Sequence, residues 1–193
     1  RRNLIPYSED INSWATKTRI NVTSNFAVSP DGTQNASKLT STANFARILE
    51  IFSLQASTTY SVTFYVKNIS GVNPKVNIFD ATNGVSLKSS YYGSLLSTTE
   101  WKRLEYQFTT TTAASVYVEP LRDLNINEEI LLWGVQLEDA GSGSDASYAT
   151  SYIPTSGSTV TRLAETCNNS GSEQDFNDSE GVLYANIAAL VND

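Results

Sequence analysis

The chain has 193 residues, of which 40% are hydrophobic and 10% aromatic, so it can bury the core of one ordinary domain and still carry an extension. Its net charge of -7 argues against nucleic acid and against an anionic membrane surface as partners, because both attract clustered Lys and Arg. No apolar run approaches membrane-spanning length, so we expect no membrane partner.

Strand signals recur along the chain, with turn residues between them. Apolar and polar residues alternate with period two in five segments, namely 60–68, 76–79, 101–109, 115–120 and 130–138. Such alternation is typical of antiparallel strands with one packed face and one solvent face. The segment 42–56 fits a short helix, an irregular stretch or a strand. Together these segments predict an all-β fold, a two-sheet antiparallel β-sandwich over residues 1–150.

Two tryptophans are predicted to lie in the core. Trp133 alternates with Leu131, Val135 and Leu137, so these four side chains share one predicted face of the last strand. Trp14 is assigned to the core as well.

The segment 151–166, SYIPTSGSTVTRLAET, has the composition of a linker but contains apolar anchors. Tyr152 and Ile153 precede a proline, and Val160 follows a glycine. A free tether needs no such anchors, so we predict that 151–174 is a strap or linker docked on the sandwich. The apolar run within 175–193 predicts the start of a following domain or a strand that contacts another subunit.

Several ordered pieces of the sequence resemble one known family. They are NLIPYSEDINSW (3–14), AVSPDGTQNASKLT (27–40), YSVTFYVKNISG (60–71), TEWKRLEYQFT (99–109), LLWGVQLEDA (131–140) and TSYIPTSGSTVTR (150–162). In this order they resemble a bacteriophage head-spike or tail-fibre module, which is similar to the galactose-binding-like, jelly-roll carbohydrate-binding modules. The resemblance implies a jelly roll with a C-terminal extension and a virion or extracellular location. It also implies a glycan ligand, contacts with other virion subunits and, by analogy, a homotrimer.

The residue inventory argues against an enzyme within this chain. With no histidine there is neither a Ser-His-Asp triad nor an imidazole base, and the single cysteine, Cys167, has no base to activate it. Two carboxylates could suffice for glycoside hydrolysis, but no pattern in the sequence indicates that any two converge, and solvated surface charge explains each of them better. We therefore expect no catalytic residues.

Sugar recognition uses aromatic platforms beside planar polar side chains, because a pyranose has an apolar CH face and a rim of hydroxyls. The predicted solvent face offers such groups, and the candidate carbohydrate-binding residues are Tyr65, Asn77, Trp101, Arg103, Glu105, Tyr117 and Arg122. They would form one surface if their strands are neighbours. The alternative is that these aromatics lie in a contact between subunits. Tyr91 and Tyr92, in the loop-like KSSYYGS, are further candidates for either contact.

The resemblance also implies a structural Ca²⁺ ion, since jelly-roll modules often hold one between their first and last strands. The positions nearest to that site are Glu9, Asp10 and Glu138. Carboxylates and backbone carbonyls are the oxygen ligands that Ca²⁺ requires. Capping and turn roles are the alternative explanation of these residues.

The sequence thus predicts a non-enzymatic phage virion module, from a fibre, spike or tail component, that binds host surface glycans. One alternative is a purely structural virion protein whose aromatic face is a subunit contact. Another is an accessory carbohydrate-binding module of a polysaccharide-degrading enzyme.

Overall fold

The computed structural model describes residues 1–139 and 148–162. Twelve strands occur there: β1 Arg2–Asn3, β2 Thr16–Thr18, β3 Ile20–Ala27, β4 Ala36–Ser41, β5 Ala46–Leu54, β6 Thr58–Asn68, β7 Lys75–Asp80, β8 Val85–Tyr91, β9 Lys102–Thr110, β10 Ala114–Leu124, β11 Glu129–Asp139 and β12 Val160–Thr161. Two short 3-10 helices span Ile11–Ser13 and Gly93–Leu95. Within the described residues, no helix has the length and apolar character needed to cross a membrane.

The strands form two antiparallel sheets. In the seven-stranded sheet, β11 pairs with β6 on one side and with β4 and β1 on the other, while β9, β3 and β12 lie outside β6, β4 and β1. The five-stranded sheet has the order β2-β5-β10-β7-β8. The prediction of an all-β, two-sheet sandwich is therefore confirmed, and the ambiguous segment 42–56 contributes a strand, β5.

The core lies between the sheets and uses the alternating positions that the sequence predicts. The central strands contribute alternate side chains, for example Val62 and Phe64 from β6 and Val116 and Val118 from β10. Trp14 is 1% exposed within this core and its Nε1 donates to the Tyr7 carbonyl at 2.9 Å, as expected for a buried indole.

The predicted position of Trp133 in this core is wrong, because a β-bulge interrupts the alternation of β11. Gly134 has φ of 61°, and the register with β6 shifts between Trp133 and Gln136. Val135 and Leu137 therefore enter the core, whereas Trp133 packs with Tyr65 in a separate cluster. Tyr65 occupies an outward position on β6, so Trp133 lies on the outer face of the seven-stranded sheet.

Residues 151–162 lie against the N-terminal segment of the chain. Thr155 and Ser8 exchange hydrogen bonds, from the Ser8 amide to Thr155 Oγ1 at 3.0 Å and from the Thr155 amide to Ser8 Oγ at 2.8 Å. Asn3 Nδ2 donates to the carbonyl of Ile153 at 2.8 Å, and β12 then pairs with β1. We call residues 149–162 the strap. Residues 163–193 lie outside the described residues; they include Cys167, the rest of the predicted segment 151–174 and the predicted following strand.

Candidate functional site

The candidate carbohydrate-binding residues divide between the two outer faces of the sandwich. Asn77, Tyr117 and Arg122 belong to the five-stranded sheet, through β7 and β10. The others belong to the seven-stranded sheet, where Tyr65 lies on β6, Arg103 and Glu105 lie on β9, and Trp101 precedes β9. The strands that carry these residues belong to two different sheets, so the seven residues do not form one surface.

An aromatic pair occupies the outer face of the five-stranded sheet. Tyr117 on β10 and Phe79 on β7 are cross-strand neighbours with ring centroids 6.3 Å apart. Both rings are partly exposed, and Ile51, opposite Tyr117 on β5, is 52% exposed. Val116 and Val118 point into the core, so the pleat directs Tyr117 outward, as predicted.

A carboxylate held by two arginines adjoins the aromatic pair. The Glu119 side chain is only 1% exposed, with Arg122 Nη1 at 3.0 Å and Arg47 Nη1 at 3.6 Å. The two arginine side chains are 34% and 35% exposed. Asn77 is the cross-strand neighbour of Glu119 on β7. Glu119 is too deeply buried to serve as a ligand contact, but it holds two guanidinium groups at the surface.

The outer face of the seven-stranded sheet is partly covered by the strap. Tyr152 packs on Trp133 with ring centroids 4.6 Å apart, and Tyr65 lies 5.3 Å from Trp133 on the other side. Tyr65 is 8% exposed and Trp133 is 2% exposed. A cleft of about 420 Å³ remains beside this cluster, with Arg103 and Asp31 among its lining residues.

Polar side chains of this face bind the strap. Arg103 Nη2 donates to the carbonyl of Thr150 at 2.5 Å, and Glu105 Oε1 accepts from the amide of Ala149 at 2.8 Å. Trp101 packs against the Tyr65–Trp133 cluster, and its Nε1 donates to the Val28 carbonyl at 3.0 Å. These predicted sugar contacts are therefore engaged within the protein itself.

Two groups beside this cleft have shifted pKa values. Partial burial opposes ionisation of Asp31, but hydrogen bonds from Ser29, Thr33 and Asn35 outweigh it and lower its pKa. Burial raises the pKa of Tyr152, whose hydroxyl lies 2.6 Å from Ser8 Oγ and 3.0 Å from Glu9 Oε1. Both groups are thus engaged by neighbouring side chains of the protein.

The predicted calcium ligands do not converge. Both oxygens of Glu138 accept hydrogen bonds from Thr150, both oxygens of Asp10 cap the first 3-10 helix, and Glu9 accepts from Tyr152 and Asn35. In residues 1–139 and 148–162, no group of three or more Asp, Glu, His or Cys is arranged to hold a metal ion. The structural Ca²⁺ ion, which could also use backbone carbonyls as ligands, therefore stays a prediction.

Sequence reasoning missed two members of the five-stranded face, Phe79 and Arg47. Phe79 lies two residues after Asn77 on β7 and therefore on the same face of the sheet, so the period-two pattern of that strand could have identified it. Arg47 lies in β5, in the segment whose secondary structure the sequence left open, so its face could not be assigned.

Comparison with known proteins identifies the family. A family model described as a carbohydrate binding domain (CBM_4_9) matches residues 7–122, more than half of the 193 residues. Comparison with curated proteins found no match.

One similar solved structure is the xylan-binding CBM22-1 domain of Paenibacillus barcinonensis Xyn10C, at 14% identity and a TM-score of 0.49, with 74% of this chain and 95% of that chain covered. Tailspike protein 4 of bacteriophage CBA120, in its enzymatically active domain, has 14% identity and a TM-score of 0.52, with 71% of this chain and 21% of that chain covered. At this identity, the likeness to the tailspike shows a common fold only. Because the family match covers more than half of its length, this chain belongs to the carbohydrate-binding domain family.

Proposed function

We propose that this protein is a non-enzymatic module that binds a glycan across the outer face of the five-stranded sheet. The observation that carries the proposal is the partly exposed Phe79–Tyr117 pair beside two arginines fixed by Glu119. Aromatic rings offer the apolar surface on which a pyranose stacks, and guanidinium groups donate hydrogen bonds to sugar oxygens.

The accessibility of the two faces favours the five-stranded sheet. On the seven-stranded sheet, Tyr65 is 8% exposed and Arg103 already donates to the strap. A glycan chain there would have to displace the strap and its hydrogen bonds. On the five-stranded sheet, Ile51 at 52% exposure marks an apolar surface that a sugar ring can cover.

Glycan-array binding of two single variants tests this assignment. Tyr117→Ala removes the aromatic platform of the five-stranded sheet, and we expect affinity to fall by about tenfold or more, because covering a large apolar side chain contributes about 1.5–3 kcal/mol. Tyr65→Ala is the matched truncation on the opposite face and is expected to retain binding. Circular dichroism verifies that both variants are folded. Loss of binding in Tyr65→Ala alone would contradict the assignment to the five-stranded sheet, and no glycan binding by the folded protein would contradict the function.

We further propose that the module is part of a phage virion, as a fibre, spike or tail component that contacts host surface glycans outside the cell. Two observations support this proposal: the ordered resemblance to head-spike and tail-fibre modules, and the fold shared with a phage tailspike. A homotrimer in contact with other virion subunits is the expected assembly. Light scattering of the purified protein tests the trimer, and immunogold labelling of virions tests the location.

Two alternatives have distinct signatures. An accessory module of a polysaccharide-degrading enzyme is also compatible with the shared fold, since the tailspike structure is of an enzymatically active domain. A catalytic domain encoded in the same gene, instead of neighbouring tail and capsid genes, would favour it. If the face is instead a subunit contact, wild type would bind no glycan, and Tyr117→Ala would lower the mass of the oligomer in solution.

The structural Ca²⁺ ion stays a proposal, supported by the family resemblance and opposed by the present engagement of Glu9, Asp10 and Glu138. Thermal denaturation with and without EDTA tests it. A lower melting temperature in EDTA that added Ca²⁺ restores would establish the ion, and identical curves would refute it.

A further inference from the structure

We infer that the outer face of the five-stranded sheet selects glycans with an anionic substituent, a carboxylate or a sulfate ester, over the corresponding neutral glycans. This inference rests on the proposed function, since it names the ligand class of the same face. It follows from the charges of that face, their exposure and their distance from the aromatic pair.

The face has a positive balance within an acidic protein. Three cations, Arg47, Lys75 and Arg122, share it with two carboxylates, Glu119 and Asp123, while the whole chain has a net charge of -7. All five belong to one connected network, with Asp123 lying 3.3 Å from Lys75 Nζ and 3.5 Å from Arg122 Nε.

Four further charges on the strands of this sheet, two positive and two negative, have other surroundings. Glu50 of β5 is opposite the inward-facing Val118, and its carboxylate accepts from the amide of Ala15. Lys88 of β8 extends over the ring of Tyr106 in β9. Lys17 of β2 donates to the carbonyl of Asn12, and Asp80 of β7 accepts from the amide of Asn83. The four charges cancel, so they do not alter the balance of the face.

Because Glu119 is buried, the charge that this face exposes to solvent is more positive than the count of its charged groups indicates. The Glu119 and Asp123 side chains are 1% and 20% exposed, whereas Arg47, Arg122 and Lys75 are 35%, 34% and 22% exposed. Glu119 therefore lies beneath the two arginines, whereas Asp123 and Lys75 are about equally exposed. A ligand that approaches from solvent meets hydrogen-bond donors, and donors fixed in advance favour an anionic acceptor.

The guanidinium groups retain donors for such a ligand. Arg47 and Arg122 both approach Glu119 through Nη1, and a guanidinium has five N–H donors in all. Planar guanidinium groups match carboxylate and sulfate-like oxygens in a bidentate manner. Because Glu119 and Asp123 already hold both arginines in place, little side-chain entropy is lost when the ligand binds.

The spacing places both types of recognition within one short glycan. Tyr117 and Glu119 are two residues apart on the same face of β10, or about 7 Å along the strand. One sugar ring can therefore stack on the Phe79–Tyr117 pair while the anionic substituent of a neighbouring unit reaches the arginines.

The test compares matched polymers for binding to the full chain. Polygalacturonate and alginate are each paired with their carboxyl-reduced forms, and dextran sulfate is paired with dextran. We expect an anionic member to bind about tenfold more tightly than its neutral partner at about 20 mM NaCl, with the difference much reduced at about 300 mM NaCl. A difference in the uronate pairs assigns a carboxylate, and a difference in the dextran pair alone assigns a sulfate ester.

Three variants tie the effect to this face. Arg122→Gln should remove most of the preference for the anionic polymer. Arg122→Lys should bind more weakly but keep the salt dependence of that preference. Lys102 is an exposed cation on the other sheet, so Lys102→Gln should leave the preference unchanged. Melting curves show that each variant is folded.

Two results would overturn the inference: equal affinity within every pair, or a preference that survives Arg122→Gln. If neutral polymers bind and Tyr117→Ala abolishes that binding, the proposed function stands without the anionic preference. If no polymer binds to the folded wild type, both fail.

Discussion

Tyr91 and Tyr92 are adjacent in sequence and opposite in surroundings. Tyr91 is 57% exposed, whereas Tyr92 is fully buried, with its ring 5.7 Å from Phe64. The Tyr92 hydroxyl donates to the Pro120 carbonyl at 2.8 Å, and burial raises the pKa of this phenol. The expectation of two exposed loop aromatics is therefore wrong for Tyr92, which has a structural role.

Tyr92→Phe should lower the free energy of unfolding by about 1–3 kcal/mol, because it leaves a buried carbonyl without its donor. The matched control is Tyr91→Phe, which should change it by less than about 0.5 kcal/mol at an exposed site. Urea unfolding of both variants measures the difference. If Tyr92→Phe changes the free energy of unfolding no more than Tyr91→Phe does, the buried Tyr92 hydroxyl does not stabilise the fold.

Asp80 links stability to pH. Its carboxylate accepts from the side chain of Asn83 at 2.7 Å and from the backbone of Asn83 at 2.9 Å, and these bonds lower its pKa. Since the folded-state pKa lies below the ordinary value of 3.8, the stabilisation is present above that pH and is lost as pH falls through the folded-state value.

The difference in unfolding free energy between wild type and Asp80→Asn should therefore be constant above about pH 5 and shrink below about pH 4. Urea unfolding over pH 2.5–7, sampled at about half-unit steps, measures it. A difference that stays constant throughout this range would show that the Asp80 charge does not stabilise the fold.

For single residues, the sequence predicts the direction of a side chain where it follows the pleat of a strand, and it does not predict burial that depends on contacts distant in sequence. The outward direction of Tyr117 follows from its neighbours Val116 and Val118. The burial of Tyr92 follows instead from the acceptor that Pro120 supplies, 28 residues away, and local periodicity does not encode that contact.

Among the elements, the strap has a buried anchor at Thr155. Its Oγ1 accepts from the amide of Ser8 and donates to the carbonyl of Ile5 at 2.7 Å, and the side chain is buried. Thr155→Val keeps the shape of the side chain but leaves both partners unsatisfied.

We expect Thr155→Val to destabilise the protein by about 1–3 kcal/mol and to accelerate proteolysis within 151–162. Thr159→Val, at an exposed position of the same strap, is the control. Limited digestion followed by mass spectrometry locates the cuts. Rapid cleavage of the wild type within 151–162 would show that the strap is a loose tether.

The five-stranded and seven-stranded sheets were predictable as a sandwich, because a one-sided core requires the period-two pattern. The exception is the β11 bulge at Gly134. A Cβ there would lie 3.2 Å from Tyr65 and 3.4 Å from Tyr152, so both the positive φ and the close packing of the strap require glycine. The residues ILLWGVQLE predict a regular strand with unbroken alternation, and that prediction places Trp133 on the wrong face of the sheet.

For the whole molecule, the two outer faces should be energetically independent. Tyr65 and Tyr117 lie on different sheets with the core between them, whereas Tyr65 and Trp133 are in contact at 5.3 Å. The stability effects of Tyr65→Ala and Tyr117→Ala should add within about 0.5 kcal/mol, because distant sites without shared partners rarely couple.

Tyr65→Ala combined with Trp133→Phe is the contrasting pair and should deviate from additivity by about 0.5 kcal/mol or more. Urea unfolding of the single and double variants completes both cycles. Strong coupling between Tyr65 and Tyr117 would mean that a distortion crosses the core, and the single variants could not then assign a glycan to one face.

The pairing of β1 with β12 has a mechanical consequence. Arg2 is opposite Thr161, and the amide of Arg162 donates to the carbonyl of Arg1 at 2.9 Å, so the chain enters and leaves the sandwich at one edge. A pulling force applied through residues 1 and 162 would load these hydrogen bonds one after another, as a zipper opens, and not all together in shear. The edge would yield at low force while the core remained folded, so the first extension under tension would come from the strap.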